Sequence, residues 1–244
     1  MIQQIFTDTI RLLTFILSAI HLNEFFIMPL AIFDLDNTLL SCDSDYEWGQ
    51  FLVRKKIVDA VEYDKANKYF YEEYKNGTLD ITEFSAFSFK PLSMNSIDTL
   101  NALHREFLDE VIKPNITQNS RSLIQKHKDA NDTLLVITAT NSFITRPIVT
   151  ELGIDELLAT EPKIVDGNYT TEIEGTPCFQ EGKVKRLSVW LKENKQTLKN
   201  SSFYSDSNND LSLLEAVDNA IAVDPDEILE KTAIENGWPI ISLR

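Results

Sequence analysis

The chain has 244 residues, 43% of them hydrophobic, with only 7 glycines and 8 prolines, which fits a globular domain with an insert and excludes a fibrous or disordered chain. Its formal charge is −15, from 23 basic and 38 acidic side chains, so its field repels phosphate backbones and argues against nucleic acid or an anionic membrane as partner. With 2 cysteines and 3 histidines at no metal-ligand spacing, we expect a cytoplasmic protein with reduced thiols and no zinc site.

Residues 1–27 carry an apolar stretch that fits no standard targeting or membrane segment. Residues 10–22 are interrupted by Arg11 and His21 and are shorter than the roughly 20 apolar residues of a spanning helix. Asp8 offsets the basic charge of Arg11, so a secretory signal peptide is not supported. We therefore interpret residues 1–27 as an appendage that takes no part in catalysis, and Met28 as an alternative start of the chain. The rival hypothesis is a membrane tether through residues 5–27.

Short apolar runs without alternation predict the strands of a parallel sheet that is buried on both faces. They occupy residues 30–33, 134–137, 202–204, 220–223 and 240–243. Helical periodicity follows Gly182 and again follows Asn209. Strands that alternate with helices predict an α/β fold, a Rossmann-like doubly wound parallel sheet whose ligands bind at the carboxyl ends of its strands.

The segment from about 44 to 117 is helical in character and too long for a plain crossover. Tyr63, Phe70 and Tyr74 follow helical spacing up to a stop at Gly77. Asp80 opens the next helix, which Pro91 is expected to close, and a further amphipathic helix runs from residue 97 to about 114. We predict a core domain of residues 28–43 and 118–244 with a helical cap of residues 44–117, and a hairpin around residues 166–168.

Residues with catalytic potential stand where the first two runs end. Asp34 and Asp36 place two carboxylates just past the first run, where both can turn into one crevice. Thr138 ends the second run, and its hydroxyl with the following N–H groups can hold phosphoryl oxygens. For the two carboxylates taken alone, a solvated turn is the alternative interpretation.

A lysine and a second group of acids follow later in the chain. Lys183 comes directly after Gly182 at a helix start, where its ammonium can neutralise a carboxylate and a phosphate; a plain surface lysine is the alternative. Asp206 and Asp210 lie just past the third run and suit Mg²⁺, which prefers carboxylates together with water and substrate phosphate. For Asp210 the alternative is a helix N-cap.

In this order the motifs resemble the haloacid dehalogenase superfamily, in its subfamily IB of phosphoserine-phosphatase-like hydrolases. The resemblance runs from about residue 30 to the C-terminus, and residues 33–40, 137–141 and 204–214 carry most of its specificity. It implies a phosphatase with a C1-type cap in the place of the helical insert, acting on a small phosphorylated metabolite.

The resemblance also implies a role for each residue. Asp34 matches the nucleophile, which forms an aspartyl phosphate, and Asp36 matches the general acid and base. Thr138 matches the phosphate-binding hydroxyl and Lys183 the charge-balancing lysine. The implied cofactor is Mg²⁺, with Asp34, Asp36, Asp206 and Asp210 as its expected ligands. The expected substrate-binding residues are Asp43, Thr138, Ala139 and Asn209.

The substrate depends on the cap. Asp43 matches the acid that contacts the substrate amine in phosphoserine phosphatases, with Asp45 beside it; solvated loop acids are the alternative. Residues 85–89 hold no arginine where those enzymes grip the substrate carboxylate, and Lys90 is no equal substitute at a bidentate site. An amine-bearing phosphate without a carboxylate therefore fits better.

We expect L-histidinol phosphate, because the chain also resembles the histidinol-phosphatase-like branch in residues 43–46 and 237–239. Aromatic residues of the cap are expected to stack on the imidazole. These are Trp48, Phe84, Phe87 and Phe89. L-Phosphoserine hydrolysis and a broad-specificity phosphatase stay open, as does a phosphate-ester binding protein without turnover, against which the intact Asp34 and Lys183 argue. The sequence leaves the oligomeric state open.

Overall fold

A seven-stranded sheet forms the centre of the protein, whose computed structural model describes residues 28–244. The strands are β1 (Leu30–Phe33), β2 (Thr133–Asn141), β3 (Glu156–Val165), β4 (Asn168–Glu174), β5 (Ser202–Ser205), β6 (Asn219–Val223) and β7 (Ile240–Ile241). Their order is β4-β3-β2-β1-β5-β6-β7, and all neighbours are parallel except β3 and β4. The interpretation of residues 1–27 as an appendage lies outside the described residues.

The apolar runs predicted most of these strands. β2 continues past the predicted end at residue 137 to Asn141, and β7 is shorter than its predicted run. The expected hairpin is present, since β3 and β4 pair across the turn at Gly167, which has a φ of 77°. The runs do not predict β3 as a separate strand, because Thr160 and Glu161 interrupt its apolar residues.

Helices bury both faces of the sheet. The described α-helices are α1 (Ser44–Arg54), α2 (Ala60–Lys75), α3 (Ile81–Ser93), α4 (Ile97–Phe107), α5 (Gln118–Asp129), α6 (Ser142–Glu151), α7 (Glu181–Glu193), α8 (Leu211–Leu214) and α9 (Glu227–Asn236). Ala31 and Phe33 of β1 enter one apolar cluster, and Leu30 and Ile32 enter a second cluster on the opposite face. This arrangement confirms the predicted α/β class with a doubly wound sheet.

Helices α1 to α4 form the insert between β1 and β2. The side chain of Asp80 caps α3 as predicted, accepting hydrogen bonds from the N–H groups of Thr82 and Glu83. The expected end of this helix at Pro91 is wrong, because Pro91 and Leu92 are buried and α3 continues to Ser93. A proline there loses the hydrogen bond of the missing N–H and crowds the carbonyl of Phe87, while its burial favours the helical path.

The two chain segments that join insert and core run side by side. Leu40 and Ile116 form an antiparallel bridge, and Ser41 N–H donates to the Asn115 carbonyl over 2.9 Å. The division into a core of residues 28–43 and 118–244 and a cap of residues 44–117 stays a prediction, for which this paired neck is a natural boundary. Within the part of the chain that the structure describes, none of the helices has the length and apolarity needed to cross a membrane.

Candidate active site

The centre of the site is a buried ion-pair cluster at the end of β1. Asp34 follows the strand directly, and its N–H donates to the Tyr204 carbonyl of neighbouring β5 over 2.9 Å. Lys183 Nζ donates to Asp34 Oδ1 over 2.7 Å and to Asp210 Oδ2 over 2.8 Å. Only 4% of Lys183 and 7% of Asp34 are exposed, so the three charges meet out of water and interact strongly.

Lys183 reaches this position because α7 begins in a tight approach to the preceding loop. Gly182 N–H donates to the Phe179 carbonyl over 2.8 Å, and Gln180 has a φ of 46°. A Cβ at Gly182 would come within 2.1 Å of the Pro177 carbonyl oxygen, so only glycine lets the helix start here. The predicted position of Lys183 at a helix start is confirmed, and its interpretation as a surface lysine is wrong.

Gly182→Ala is therefore expected to displace Lys183 and lower kcat/KM for phosphate release by about 10- to 100-fold, since misplacement by about 1 Å can cost that much. The melting temperature should fall as well, because a backbone carbonyl has to move. Ser188→Ala, on the exposed face of the same helix, serves as the matched control. Unchanged kcat/KM in Gly182→Ala would show that the close approach does not position the lysine.

The pKa values indicate an excess of negative charge in the cluster. Burial raises the pKa of Asp34 to about 8 against the opposing attraction of Lys183, with Asp210 and Asp36 adding repulsion. Burial lowers the pKa of Lys183, but the carboxylates of Asp210 and Asp34 outweigh burial and hold that pKa above its usual value. Burial and the charge of Asp34 also raise the pKa of Asp206. A further cation would relieve this repulsion.

The donor set suits Mg²⁺, an ion that protein side chains usually hold only in part, together with water and substrate. Among residues 28–244, no three acidic, histidine or cysteine side chains are close enough to hold a metal by themselves. Mg²⁺ commonly takes one or two carboxylates, several waters and a substrate phosphate. Asp34 and Asp206 supply carboxylates of that kind, and Thr38 Oγ1 fixes Asp206 by donating to its Oδ1 over 2.9 Å.

Asp210 is the second carboxylate that binds Lys183, and it is buried. It is 2% exposed, and its carboxylate accepts hydrogen bonds from Lys183 and from Ser205 Oγ, the latter over 2.7 Å. In this arrangement Asp210 orients Lys183, and its expected role as a magnesium ligand stays a prediction. The alternative interpretation as a side-chain N-cap is not realised, because Asp210 makes no capping hydrogen bond to α8.

Asp36 is aimed by partners from two elements, α1 and β2. Asp36 lies in the turn after β1, where the next residue, Asn37, has a φ of 54°. Its Oδ1 accepts from Ser44 N–H over 2.7 Å, and its Oδ2 accepts from Thr140 Oγ1 over 2.7 Å. Thr138 Oγ1 lies 3.4 Å from the same oxygen. Thr140 was not among the residues predicted from the sequence. Its spacing of two from Thr138 is a signal that could have identified it, because that spacing puts both hydroxyls on one face of β2.

A cavity opens above these groups, between core and insert. Its floor contains predicted residues of the core: Asp34, Asp36, Thr138, Ala139 and Lys183. Asn209 is not among the lining residues; its Oδ1 accepts from Gln180 over 3.0 Å and its Nδ2 donates to the Tyr74 carbonyl over 3.3 Å. Asn209 thus ties the insert to the core, and its predicted contact with substrate remains a prediction.

The aromatic residues expected at the cavity are mostly elsewhere. Phe84 lines it, but Trp48 and Phe89 are each 1% exposed in the core, and Phe87 packs on Tyr63 with 4.7 Å between ring centroids. The aromatic residues that do line the cavity are Tyr46, Phe70, Tyr71, Tyr74 and Phe84. Sequence spacing could not separate these residues, because the face of a cap helix that points inward depends on how the helices pack.

The remaining walls of the cavity are acidic. Asp43 lines it while also capping α1, its Oδ1 accepting from Tyr46 N–H over 2.9 Å. Asp45 lines it at 6% exposure, and burial raises the pKa of Asp45 to about 6. Asp45 is therefore not a solvated loop acid, whereas Asp43 is partly buried and stands just before α1. Among the described residues that line the cavity, Lys183 is the sole cationic side chain, so positive charge is confined to the floor and the charged side chains of the walls are acidic.

Known proteins resemble this chain in sequence over most of its length. The family model of the haloacid dehalogenase-like hydrolases matches residues 31–215. The chain is 46% identical over 219 residues to the histidinol-phosphatase of Neisseria meningitidis serogroup C (strain 8013), covering 88% of this chain and 99% of that protein. It is 31% identical over 217 residues to a phosphoserine phosphatase of Mycobacterium tuberculosis (strain ATCC 25618 / H37Rv), covering 88% of this chain and 70% of that protein.

Solved structures share the fold. A protein of unknown function from Bordetella pertussis Tohama I superposes with a TM-score of 0.84 at 42% identity, over 89% of this chain and 99% of that chain. A substrate-bound phosphoserine phosphatase superposes with a TM-score of 0.64 at 19% identity, over 89% of this chain and 93% of that chain. At that identity the second likeness concerns the fold alone.

Proposed function

The chain belongs to the haloacid dehalogenase-like hydrolases and is a phosphatase, and from this premise we propose that it hydrolyses L-histidinol phosphate with Mg²⁺ as cofactor. The observation that carries the proposal is the cavity, which has the Asp34–Lys183 pair at its floor and Asp43 and Asp45 in its walls. L-Histidinol phosphate has a phosphate at one end, an ammonium and an imidazole at the other, and no carboxylate.

The residues of the floor can carry out phosphoryl transfer in two steps. Lys183 holds Asp34 Oδ1, which leaves Oδ2 to attack phosphorus; the bond from Asp34 to phosphorus forms as the bond from phosphorus to the substrate oxygen breaks. Asp36, aimed by Ser44 N–H and Thr140, gives its proton to the leaving alkoxide. Water then attacks phosphorus and loses a proton to Asp36; the bond from Asp34 to phosphorus breaks, and inorganic phosphate leaves with the Asp34 carboxylate restored.

The negative charge of the substrate must be balanced for this attack. Asp34, Asp206 and the backbone carbonyl of Asp36 would hold the Mg²⁺, and Thr38 keeps Asp206 in place. When bound, Mg²⁺ neutralises charge between the carboxylates and the phosphate and polarises the phosphoryl group. Lys183 supplies the second positive charge, and Thr138 with the N–H groups that follow it binds phosphoryl oxygens.

The walls favour L-histidinol phosphate over L-phosphoserine. A phosphoserine carboxylate would meet Asp43 and Asp45 in a cavity whose described lining has no cationic side chain other than Lys183. Burial raises the pKa of Asp45 only to about 6, so this side chain keeps its charge at neutral pH, and like charges brought together at low exposure repel strongly. The identity of 46% with a protein named histidinol-phosphatase supports the same choice. A binding protein without turnover would have no use for the buried Asp34–Lys183 pair.

We also propose a cytoplasmic location, which the free thiols of Cys42 and Cys178 support. Oxidising compartments favour pairing of cysteines. Cys178 is buried, and because burial raises its pKa to about 12, this thiol is unreactive.

The proposed substrate can be tested by measuring phosphate release from a panel of small phosphomonoesters, with Mg²⁺ and with EDTA. We expect L-histidinol phosphate to have the highest kcat/KM, at least about 100-fold above L-phosphoserine, since an unpaired buried charge costs that much or more. EDTA should abolish turnover. A flat profile across the panel would support a broad-specificity phosphatase instead, and a preference for L-phosphoserine would contradict the argument from the cavity walls.

A further inference from the structure

Asp45 is a carboxylate in the cap with one oxygen fixed and the other free. Ser88 Oγ of α3 donates to Asp45 Oδ1 over 2.7 Å, and Asn141 Nδ2 donates to Ser88 Oγ over 3.4 Å. Asp45 Oδ2 accepts no hydrogen bond from residues 28–244 and belongs to a side chain that lines the cavity. A nearly buried carboxylate with an unused oxygen is suited to receive a hydrogen bond from a ligand.

Asn67 is a second polar group in the same wall that lacks a partner. It lies on α2, is 5% exposed and lines the cavity, and its Nδ2 has no hydrogen-bond partner in the described part of the chain. A buried donor without a partner is costly to keep. The terminal torsion of asparagine is soft, so a rotation of the amide can present either end to a ligand.

Asp45 and Asn67 lie on helix faces that pack against each other. Gly49, one turn after Asp45 on α1, is so close to α2 that an added Cβ would come within 3.1 Å of Asn67 Nδ2 and 2.2 Å of a Tyr63 ring carbon. The charge of Asp45 also contributes, after burial, to raising the pKa of Tyr63, one turn before Asn67. The acceptor and the donor therefore line one cavity from two adjoining helices, α1 and α2.

A neutral imidazole ring has one N–H donor and one bare nitrogen acceptor, on opposite sides of the ring. We propose that Asp45, held by Ser88, accepts the imidazole N–H of the substrate, while Asn67 donates to the other ring nitrogen. This assignment rests on the proposed function. Asp43 also lines the cavity, with Oδ1 used for capping α1, and it remains available for the substrate ammonium. Asp45 and Asn67 thus form a subsite that determines specificity for the ring rather than for the amine.

The test compares wild type, Asp45→Asn and Asn67→Leu, with Asp64→Asn of α2 as matched control. The control removes a half-exposed acid that pairs with Lys68 outside the cavity. The readouts are kcat and KM for L-histidinol phosphate, and inhibition constants for L-histidinol and for L-alaninol, which keeps the amino alcohol but lacks the ring. We expect each subsite variant to raise KM by about 10- to 100-fold with kcat within about threefold, and to abolish the preference for L-histidinol over L-alaninol.

The outcomes separate this subsite from the proposed function. Absence of turnover of L-histidinol phosphate by the wild type would overturn the proposed function and the subsite together. Turnover by the wild type, with the ring preference retained in both variants or with the loss confined to kcat, would overturn the subsite alone. If Asn67→Leu does not fold, Asp45→Asn decides the question, because it replaces one carboxylate oxygen by an NH₂ group of similar size.

Discussion

Asp34→Asn is expected to lower kcat by at least about 10⁴-fold, because an amide cannot form the aspartyl phosphate and Asp36, the other carboxylate of the floor, is held by Ser44 N–H and Thr140. Lys183 keeps its contact with Asp210 in this variant, so the fold should persist. Steady-state phosphate release from L-histidinol phosphate, with circular dichroism as a check on folding, measures the effect. Asp64→Asn makes the same chemical change away from the cavity and should keep wild-type kcat.

Residual turnover of a tenth or more in a folded Asp34→Asn protein would place the nucleophile elsewhere. The KM value distinguishes contamination by wild-type enzyme from true residual activity, because a trace of wild type gives the wild-type KM with a small apparent kcat.

Lys183→Met should lose both activity and stability. The methionine fills a similar volume, but it leaves Asp34 and Asp210 buried without their shared cation. Removing one partner of a buried ion pair typically costs about 3–5 kcal/mol in the free energy of unfolding. We expect kcat/KM to fall by about 10³-fold, since both the nucleophile and the phosphate lose a compensating charge. Denaturant unfolding at pH 7 and phosphate release measure the two losses.

The double variant Lys183→Met/Asp34→Asn is the control for the cause of this instability. It should regain part of the lost stability, because one of the stranded carboxylates is gone, while activity stays absent. No recovery in the double variant would mean that lost packing around residue 183, rather than unpaired charge, explains the instability.

The stability loss of Lys183→Met should also grow as the pH rises above about 8. Burial raises the pKa of Asp34 in the folded protein from 3.8 to about 8 with Lys183 present, and removing the lysine removes the attraction that opposes this rise. Below that pH Asp34 keeps its proton in both folded proteins; above it the wild type releases the proton, whereas the variant still binds it and goes on losing stability as the pH rises. Unfolding curves at about pH 7 and about pH 9.5 compare the two regimes.

The sequence predicted the sheet and most of the floor of the site because both depend on local patterns. Buried parallel strands read as short apolar runs, and Asp34 and Thr138 follow such runs directly in β1 and β2. The carboxyl ends of neighbouring parallel strands meet at one edge, which brings these side chains together with Asp206 after β5. The resemblance to a known family then implied the role of each residue.

The walls of the cavity could not be predicted in the same way. The pairing of Asp45 with Ser88 joins residues 43 positions apart, and its link to Asn141 depends on how the insert sits on the core. The rings of the cavity also differ from those expected, because Trp48 and Phe89 face the core. Tertiary packing decides which side of an aromatic helix meets a ligand, and the periodicity of one helix does not contain that information.

Contacts from distant parts of the chain also hold the catalytic turn. Arg244 donates to the carbonyls of Asn37 and Leu40, the latter over 3.1 Å, and Arg244 lies 3.8 Å from Asp224. No sequence motif identifies this arginine, because Arg244 and the turn after β1 that it contacts lie more than two hundred positions apart along the chain.

Acid-quenched single turnover followed by mass spectrometry of the digested protein tests the central claim most directly. Enzyme in excess is mixed with L-histidinol phosphate and Mg²⁺, and the reaction is stopped in acid, which preserves an acyl phosphate. We predict one phosphoryl group on the peptide that contains Asp34, transient in time and absent in Asp34→Asn. Rapid release of phosphate without any modified peptide, or modification of a residue other than Asp34, would contradict the account.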